Sequence, residues 1–159
     1  MSLVHTLSWN DFPEGFTPFF LDPTGANLEI KEISTGVFAL LSSIPNVDNT
    51  GFIIGDKGVL VVDSHINISM AKQIQERIRE VTDKPILFLA NSNYHGDHTF
   101  GNCAFGSEVI LIQHKITSQL IEFFEEEKDF LFPCVGNKPE IYEGITLRRP
   151  DIIFDDFLE

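Results

Sequence analysis

The stretch GFIIGDKGVLVVDS, residues 51–64, constrains the fold more than any other part of the chain. Two apolar runs flank Gly55, Asp56, Lys57 and Gly58, a polar turn bracketed by glycines, and so read as a β-hairpin. The second run, Val59 to Val62, is continuously apolar, as expected of a strand covered on both faces. The period then changes. Met70, Ile74, Ile78 and Val81 recur at helical spacing with Lys72, Gln75, Glu76, Arg79 and Glu80 between them. This predicts an amphipathic helix with one stripe on the sheet. Asn67 or Ser69 can cap its start, and Pro85 stands beyond its end. PILFLAN, residues 85–91, is a further buried strand. A hairpin, a helix and a returning strand imply a layered α/β domain.

The flanks extend that pattern. LEIKEIS and GVFALLSS form a second hairpin around Thr35 and Gly36, and EVILI, residues 108–112, is a short strand. HKITSQLIEFFEEEKDF, residues 114–130, reads as a second helix with Ile116, Leu120, Ile121 and Phe124 inward and a solvated acidic face. EGITLRRPDIIFDDFLE holds one or two more strand-like runs. Residues 1–27 set Trp9, Phe12, Phe16, Phe19 and Phe20 among Pro13, Pro18 and Pro23. Prolines break regular structure while aromatic rings seek burial, so this is an irregular arm covering the core. Residues 28–159 are the folded body.

Lys and Arg total 11 against 24 Asp and Glu, a formal net charge of −13. Such a surface repels phosphate backbones and anionic membranes, which excludes nucleic acid unless a metal supplies positive charge. No apolar run approaches the roughly 20 residues of a membrane span, and the N-terminus lacks a secretory pattern. The two cysteines, Cys103 and Cys134, have no metal-type spacing and read as free thiols. A reducing compartment, the cytoplasm, is the expectation.

The chemistry concentrates in NSNYHGDHTFGN, residues 91–102, directly after a buried strand, where ligands favour the carboxyl end of a sheet. His95, Asp97 and His98 fall within four positions, and Gly96 can relax the backbone so that side chains two apart converge. Imidazole and carboxylate suit a borderline divalent ion such as Zn²⁺. A carboxylate there can also orient a water acidified by the ion, which points to metal-assisted hydrolysis. The plainer alternative is a loop whose histidines bond backbone carbonyls. His65, two residues beyond Asp63, reads as an exposed loop histidine, His114 as a surface or capping residue, and His5 carries no signal. Cys103 reads as a small buried residue.

NYHGDHTFGN resembles the signature of the metallo-β-lactamase fold superfamily, His-x-His-x-Asp-His. NTGFIIGDKGVLVVDS resembles that family's early hairpin, which ends in an aspartate, here Asp63, behind the metal site. The resemblance covers residues 28–159. It implies the first half of an αββα sandwich, with a mixed, largely antiparallel sheet and helices on one face. It also implies one or two metals at the sheet edge. Asn93 and His95 would take the positions serving one metal, and Asp97 and His98 those serving the other. Asp97 would act catalytically on the water, and Asp63 would fix the loop from behind.

Two departures follow. Asn93 stands where the family has its first histidine, and a neutral amide is a far poorer ligand than imidazole. One Zn²⁺ rather than two is therefore expected, as in the group of family lactamases that also carries asparagine there. The amide could instead be a structural hydrogen-bonder. The family's remaining ligands lie in a second half, and Asp151, Asp155, Asp156 and Glu159 do not sit in the family's later context. The expectation is a metal-dependent hydrolase truncated before those ligands, weakly active or inactive alone, acting on a small-molecule substrate in a longer parent. The alternative is a non-catalytic scaffold half. Either leaves an apolar sheet face to be covered by self-association or by a C-terminal half.

Overall fold

The computed structural model describes residues 9–16 and 19–157. His5, Pro18 and Glu159 lie outside them. Seven strands run in sequence order across one sheet. They are β1 (Leu28–Ser34), β2 (Val37–Ser42), β3 (Thr50–Ile54), β4 (Val59–Val62), β5 (Ile86–Ala90), β6 (Ile110–His114) and β7 (Ile152–Phe154). β1 to β4 pair antiparallel, closing both expected hairpins. β4 to β7 pair parallel. The α/β class therefore holds, but the sheet is evenly mixed rather than largely antiparallel. The helical connections of the second half force the change, because a strand reached through a crossover returns parallel.

Helix α1 (Ile68–Val81) links β4 to β5. Asn67 caps it, its side-chain oxygen accepting from Met70 N at 2.9 Å. Met70, Ala71, Ile74 and Ile78 are buried against Leu28, Leu40, Phe52, Val61, Leu89 and Leu111, which form the main core. Fully burying a Val, Leu, Ile, Phe or Met side chain stabilises by about 1.5–3 kcal/mol.

Among the described residues, the helix packed in the main core, α1, covers one face of the sheet, and the other face is less covered. Paired residues Val37, Ile53, Leu60, Phe88 and Ile110 form one row across β2 to β6, and none of them is fully buried. Val59 and Val61 are buried, but Leu60 and Val62 are only half covered, so β4 is not enclosed on both faces as its composition suggested.

The helix expected over residues 114–130 is broken. α3 (Lys115–Leu120) gives way to a 3-10 turn at Ile121–Phe123, and α4 (Phe124–Leu131) starts afresh. Phe123 leaves helical geometry at φ −86, ψ 38. Ile116 faces outward, 48% exposed, while Ile121 is buried. His114 is the cap expected, its Nδ1 accepting from Ile116 N at 3.1 Å.

A second apolar cluster joins Leu21, Ile66, Phe100, Phe130, Leu131, Cys134 and Val135. Trp9 stacks on Phe130 at 4.7 Å and donates through Nε1 to its carbonyl at 2.8 Å. That part of the arm covers core, whereas Phe16, Phe19 and Phe20 are about half exposed. No helix among the described residues is long and apolar enough to cross a membrane.

Candidate metal centre

The site is built where β4 and β5, parallel neighbours, reach their carboxyl ends. Past β4 the chain turns sharply, with Asp63 and His65 both in the left-handed region at φ 62 and 66. Neither is glycine or asparagine, so the turn holds backbone strain next to the site. Asp63 reaches across to the segment after β5. Its Oδ1 accepts from Ser92 N at 2.7 Å, and its Oδ2 accepts from Ser92 Oγ at 2.6 Å and faces His98 Nδ1 at 2.9 Å. Burial alone would raise the Asp63 carboxyl, but bonds from His98 and Ser92 hold it below the usual range.

Asp97 and His98 lie in α2 (Gly96–Thr99), a single turn of helix. The His98 carbonyl accepts from Ser64 N, Ser64 Oγ and Asn91 Nδ2, at 2.9–3.0 Å each. Below it, Asn91, Asn102 and Gln113 form a buried amide network. Both features rigidify the turn that carries the candidate ligands. Since His98 Nδ1 is bound by Asp63, the ring presents Nε2, 3.7 Å from Asp97 Oδ2. A carboxylate behind an imidazole in this way fixes ring orientation and tautomer for metal binding. Burial would lower the His98 pKa, yet Asp63, Asp97 and Asp48 together raise it.

A third carboxylate arrives from elsewhere. Asp48, in the loop between β2 and β3, joins Asp97 and His98 in a group whose ligand atoms all lie within 4.8 Å of one another. Burial and the neighbouring Asp97 charge push the Asp48 carboxyl up. Asp97 Oδ1 is buried with no hydrogen-bond partner. An orphaned acceptor and two facing carboxylates fit a bound cation, so the residues present suit the metal that the motif implies.

His95 is not in that group. Its Nδ1 lies 2.9 Å from Glu127 Oε1, and Glu127 also accepts from Gly96 N at 3.2 Å. The Glu127 hydrogen bond raises the His95 pKa. Glu127 is only 3% exposed, although its acidic run reads as solvated. Asn93 Oδ1 accepts from His95 N at 2.8 Å, so the amide shapes the turn, the structural role open to it.

Two other expectations change. His65 is 1% exposed rather than a surface histidine, and neither ring nitrogen has a partner. Burial lowers its pKa to about 4. Gly96 is not needed for backbone freedom, since it has helical geometry. A Cβ there would fall 2.4 Å from the Phe100 ring, so the glycine provides room. Cys103 is half-buried and donates to Phe100 O at 3.4 Å.

The family model of the metallo-β-lactamase superfamily matches residues 44–159. Among solved structures, a metallo-β-lactamase from Pontibacter korlensis superposes with a TM-score of 0.58 at 15% identity, over 80% of this chain and 53% of that one. The metallo-β-lactamase FIM-1 from Pseudomonas aeruginosa, in its mono-zinc form, gives 0.55 at 16%, over 80% and 50%. One from Hirschia baltica gives 0.57 at 16%, over 84% and 54%. The chain spans about half the length of the solved structures it matches. With the sheet, the loops after β4 and β5 and the match over residues 44–159 in agreement, this chain belongs to the metallo-β-lactamase superfamily.

Proposed function

We propose that this chain carries the Asp97–His98 side of the active centre of a metal-dependent hydrolase acting on a small molecule. The observation that carries the reading is the line Asp63, His98, Asp97. A carboxylate anchors an imidazole by one nitrogen and leaves the other facing a second carboxylate at 3.7 Å. Zn²⁺ is the ion proposed, one per chain, and bound there it would supply Lewis acidity and lower the pKa of water to about 7.

The chain's own residues do the rest. Asp63 holds the His98 ring so that Nε2 remains free to donate its lone pair. Asp97 Oδ1, free of other partners, can accept a proton of a water and aim its lone pair at an electrophilic carbon or phosphorus. Asn93 is engaged on the backbone of His95, and His95 lies outside the group formed by Asp48, Asp97 and His98, so the amide leaves the other metal position short of a donor. The free thiols Cys103 and Cys134 suit a reducing compartment such as the cytoplasm, and the charge of −13 argues against nucleic acid or anionic membrane as partner.

The test is turnover. Lactone, thioester, phosphoester and β-lactam substrates are offered to the metal-stripped chain with and without Zn²⁺, and to Asp97→Ala. Zinc-dependent hydrolysis, weak in this chain and lost in the variant, supports the reading. A second reading, a non-catalytic scaffold, is favoured by the uncovered apolar sheet face. It gains if stoichiometric zinc brings no hydrolysis of any substrate.

A further inference from the structure

We propose that Asp48, in the loop between β2 and β3, is a third protein ligand beside Asp97 and His98, completing a one-cation site within this chain alone. This rests on the reading that Asp97 and His98 hold a metal, and it adds a residue that lies outside the His-x-His-x-Asp-His pattern.

The geometry carries it. Ligands bonded at 2.0–2.2 Å to a four-coordinate ion stand roughly 3.4 Å from one another. His98 Nε2 and Asp97 Oδ2 are already 3.7 Å apart, too far for a hydrogen bond and close to that ligand spacing. All three ligand atoms lie within 4.8 Å of one another, so small side-chain rotations close the group. Asp48 is held there from both sides. Val47 is 6% exposed in the main core, and Asn49 Oδ1 accepts from Ser42 N at 2.9 Å to close the loop. The backbone that carries the carboxylate is therefore anchored on both sides. Facing carboxylates repel unless a cation or a shared proton lies between them. The buried, unpartnered Asp97 Oδ1 adds a further acceptor in want of a positive partner.

One nitrogen and two carboxylate donors, without a thiolate, suit a borderline divalent cation. Three protein ligands with an open fourth position are the pattern of catalytic rather than structural zinc. Asp48 thus supplies charge that the amide of Asn93 does not, and does so from a different strand connection.

The experiment is calorimetric titration of the metal-stripped chain with Zn²⁺ near neutral pH, for the wild type, Asp48→Asn and Asp97→Asn, with circular dichroism to verify folding. Asp56→Asn, on the exposed hairpin turn, controls for surface binding. The expected result is one Zn²⁺ per wild-type chain, an affinity lower by about tenfold or more in Asp48→Asn, loss in Asp97→Asn, and no change in Asp56→Asn. Asp48→Asn matching the wild type while Asp97→Asn loses zinc overturns the Asp48 assignment and leaves the metal reading standing. No zinc bound by the wild type, or equal binding by every variant, overturns both, and the first leaves a shared proton as the occupant. Should Asp48→Asn misfold, Asp48→Glu gives the answer through the visible spectrum of bound Co²⁺. A shifted spectrum supports ligation by residue 48, and an unchanged one overturns it.

Discussion

Glu127 Oε1 stands 2.9 Å from His95 Nδ1, so each imidazole of the motif has a carboxylate on its Nδ1, Glu127 for His95 and Asp63 for His98. A buried carboxylate that accepts from both the ring and Gly96 N also satisfies the start of a single-turn helix, where unpaired N–H groups gather. The pair thus ties α4 to the start of α2.

If that contact is structural, its two members should be energetically coupled. His95→Ala and Glu127→Ala should each lower stability, Glu127→Ala by about 1–3 kcal/mol because it strands buried donors. In urea denaturation, the double variant should lose less than the sum of the two, by about 0.5 kcal/mol or more. His95 is 38% exposed at the side chain, so solvent screening keeps the coupling toward the low end. Strict additivity would mean that the two side chains sit together without supporting each other.

Asp63 anchors two segments through one carboxylate, and its removal should be felt in both stability and metal binding. Asp63→Asn keeps the shape but cannot accept from Ser92 and His98 as a charge. A loss of about 1.5–3 kcal/mol is expected, the range for hydrogen bonds to charged groups. Zinc affinity should fall by about 10–100-fold, since the His98 ring loses its orientation. Calorimetry on the folded variant measures the second effect. Unchanged affinity would show that His98 needs no support from behind.

His65 should make the fold sensitive to mild acid. Its folded pKa is about 4 against an ordinary value of 6.5, because burial penalises the charged ring. The unfolded chain therefore binds the extra proton between those values. The contribution is intact above about pH 6.5 and is lost as pH falls toward 4, amounting to on the order of 3 kcal/mol. His65→Leu fills similar space and cannot titrate. Its urea midpoint should fall less than that of the wild type between about pH 7 and pH 4.5. Parallel curves would mean that the ring finds a partner for its proton.

What the sequence disclosed and what it hid follow from the range of the interactions. The two hairpins, helix α1 and its Asn67 cap were legible because each depends on residues a few places apart. Asp97 and His98 were legible as neighbours in one short motif, and Asp63 through family likeness. Asp48 was not, because its place beside Asp97 depends on how the β2–β3 loop lies over the ends of β4 and β5, which no local spacing records. Glu127 was hidden inside EEEKD, where every acid has the same pattern. Only the restart of the helix after Phe123 decides which one points inward. His65 gave no sign of burial because it follows a strand end, where loops are commonly exposed.

The sheet face opposite α1 sets the last expectation. Register places Val37, Ile53, Leu60, Phe88 and Ile110 side by side across five strands, with Ile53 40% exposed. A continuous apolar row of this breadth seldom stays in water on a monomer, because each half-covered side chain still gains on burial. The isolated chain should therefore self-associate through this face and bind an apolar dye when dilute. Ile53→Lys places a charge in the middle of the row at a side chain the core does not need. It should shift light scattering toward the monomer and reduce association while leaving the thermal midpoint nearly unchanged. A wild type that stays monomeric at high concentration and binds no dye would show the row to be stable in water. An oligomer untouched by Ile53→Lys would put the contact on a different surface, with the arm residues Phe19 and Phe20, each about half exposed, the next to be tested.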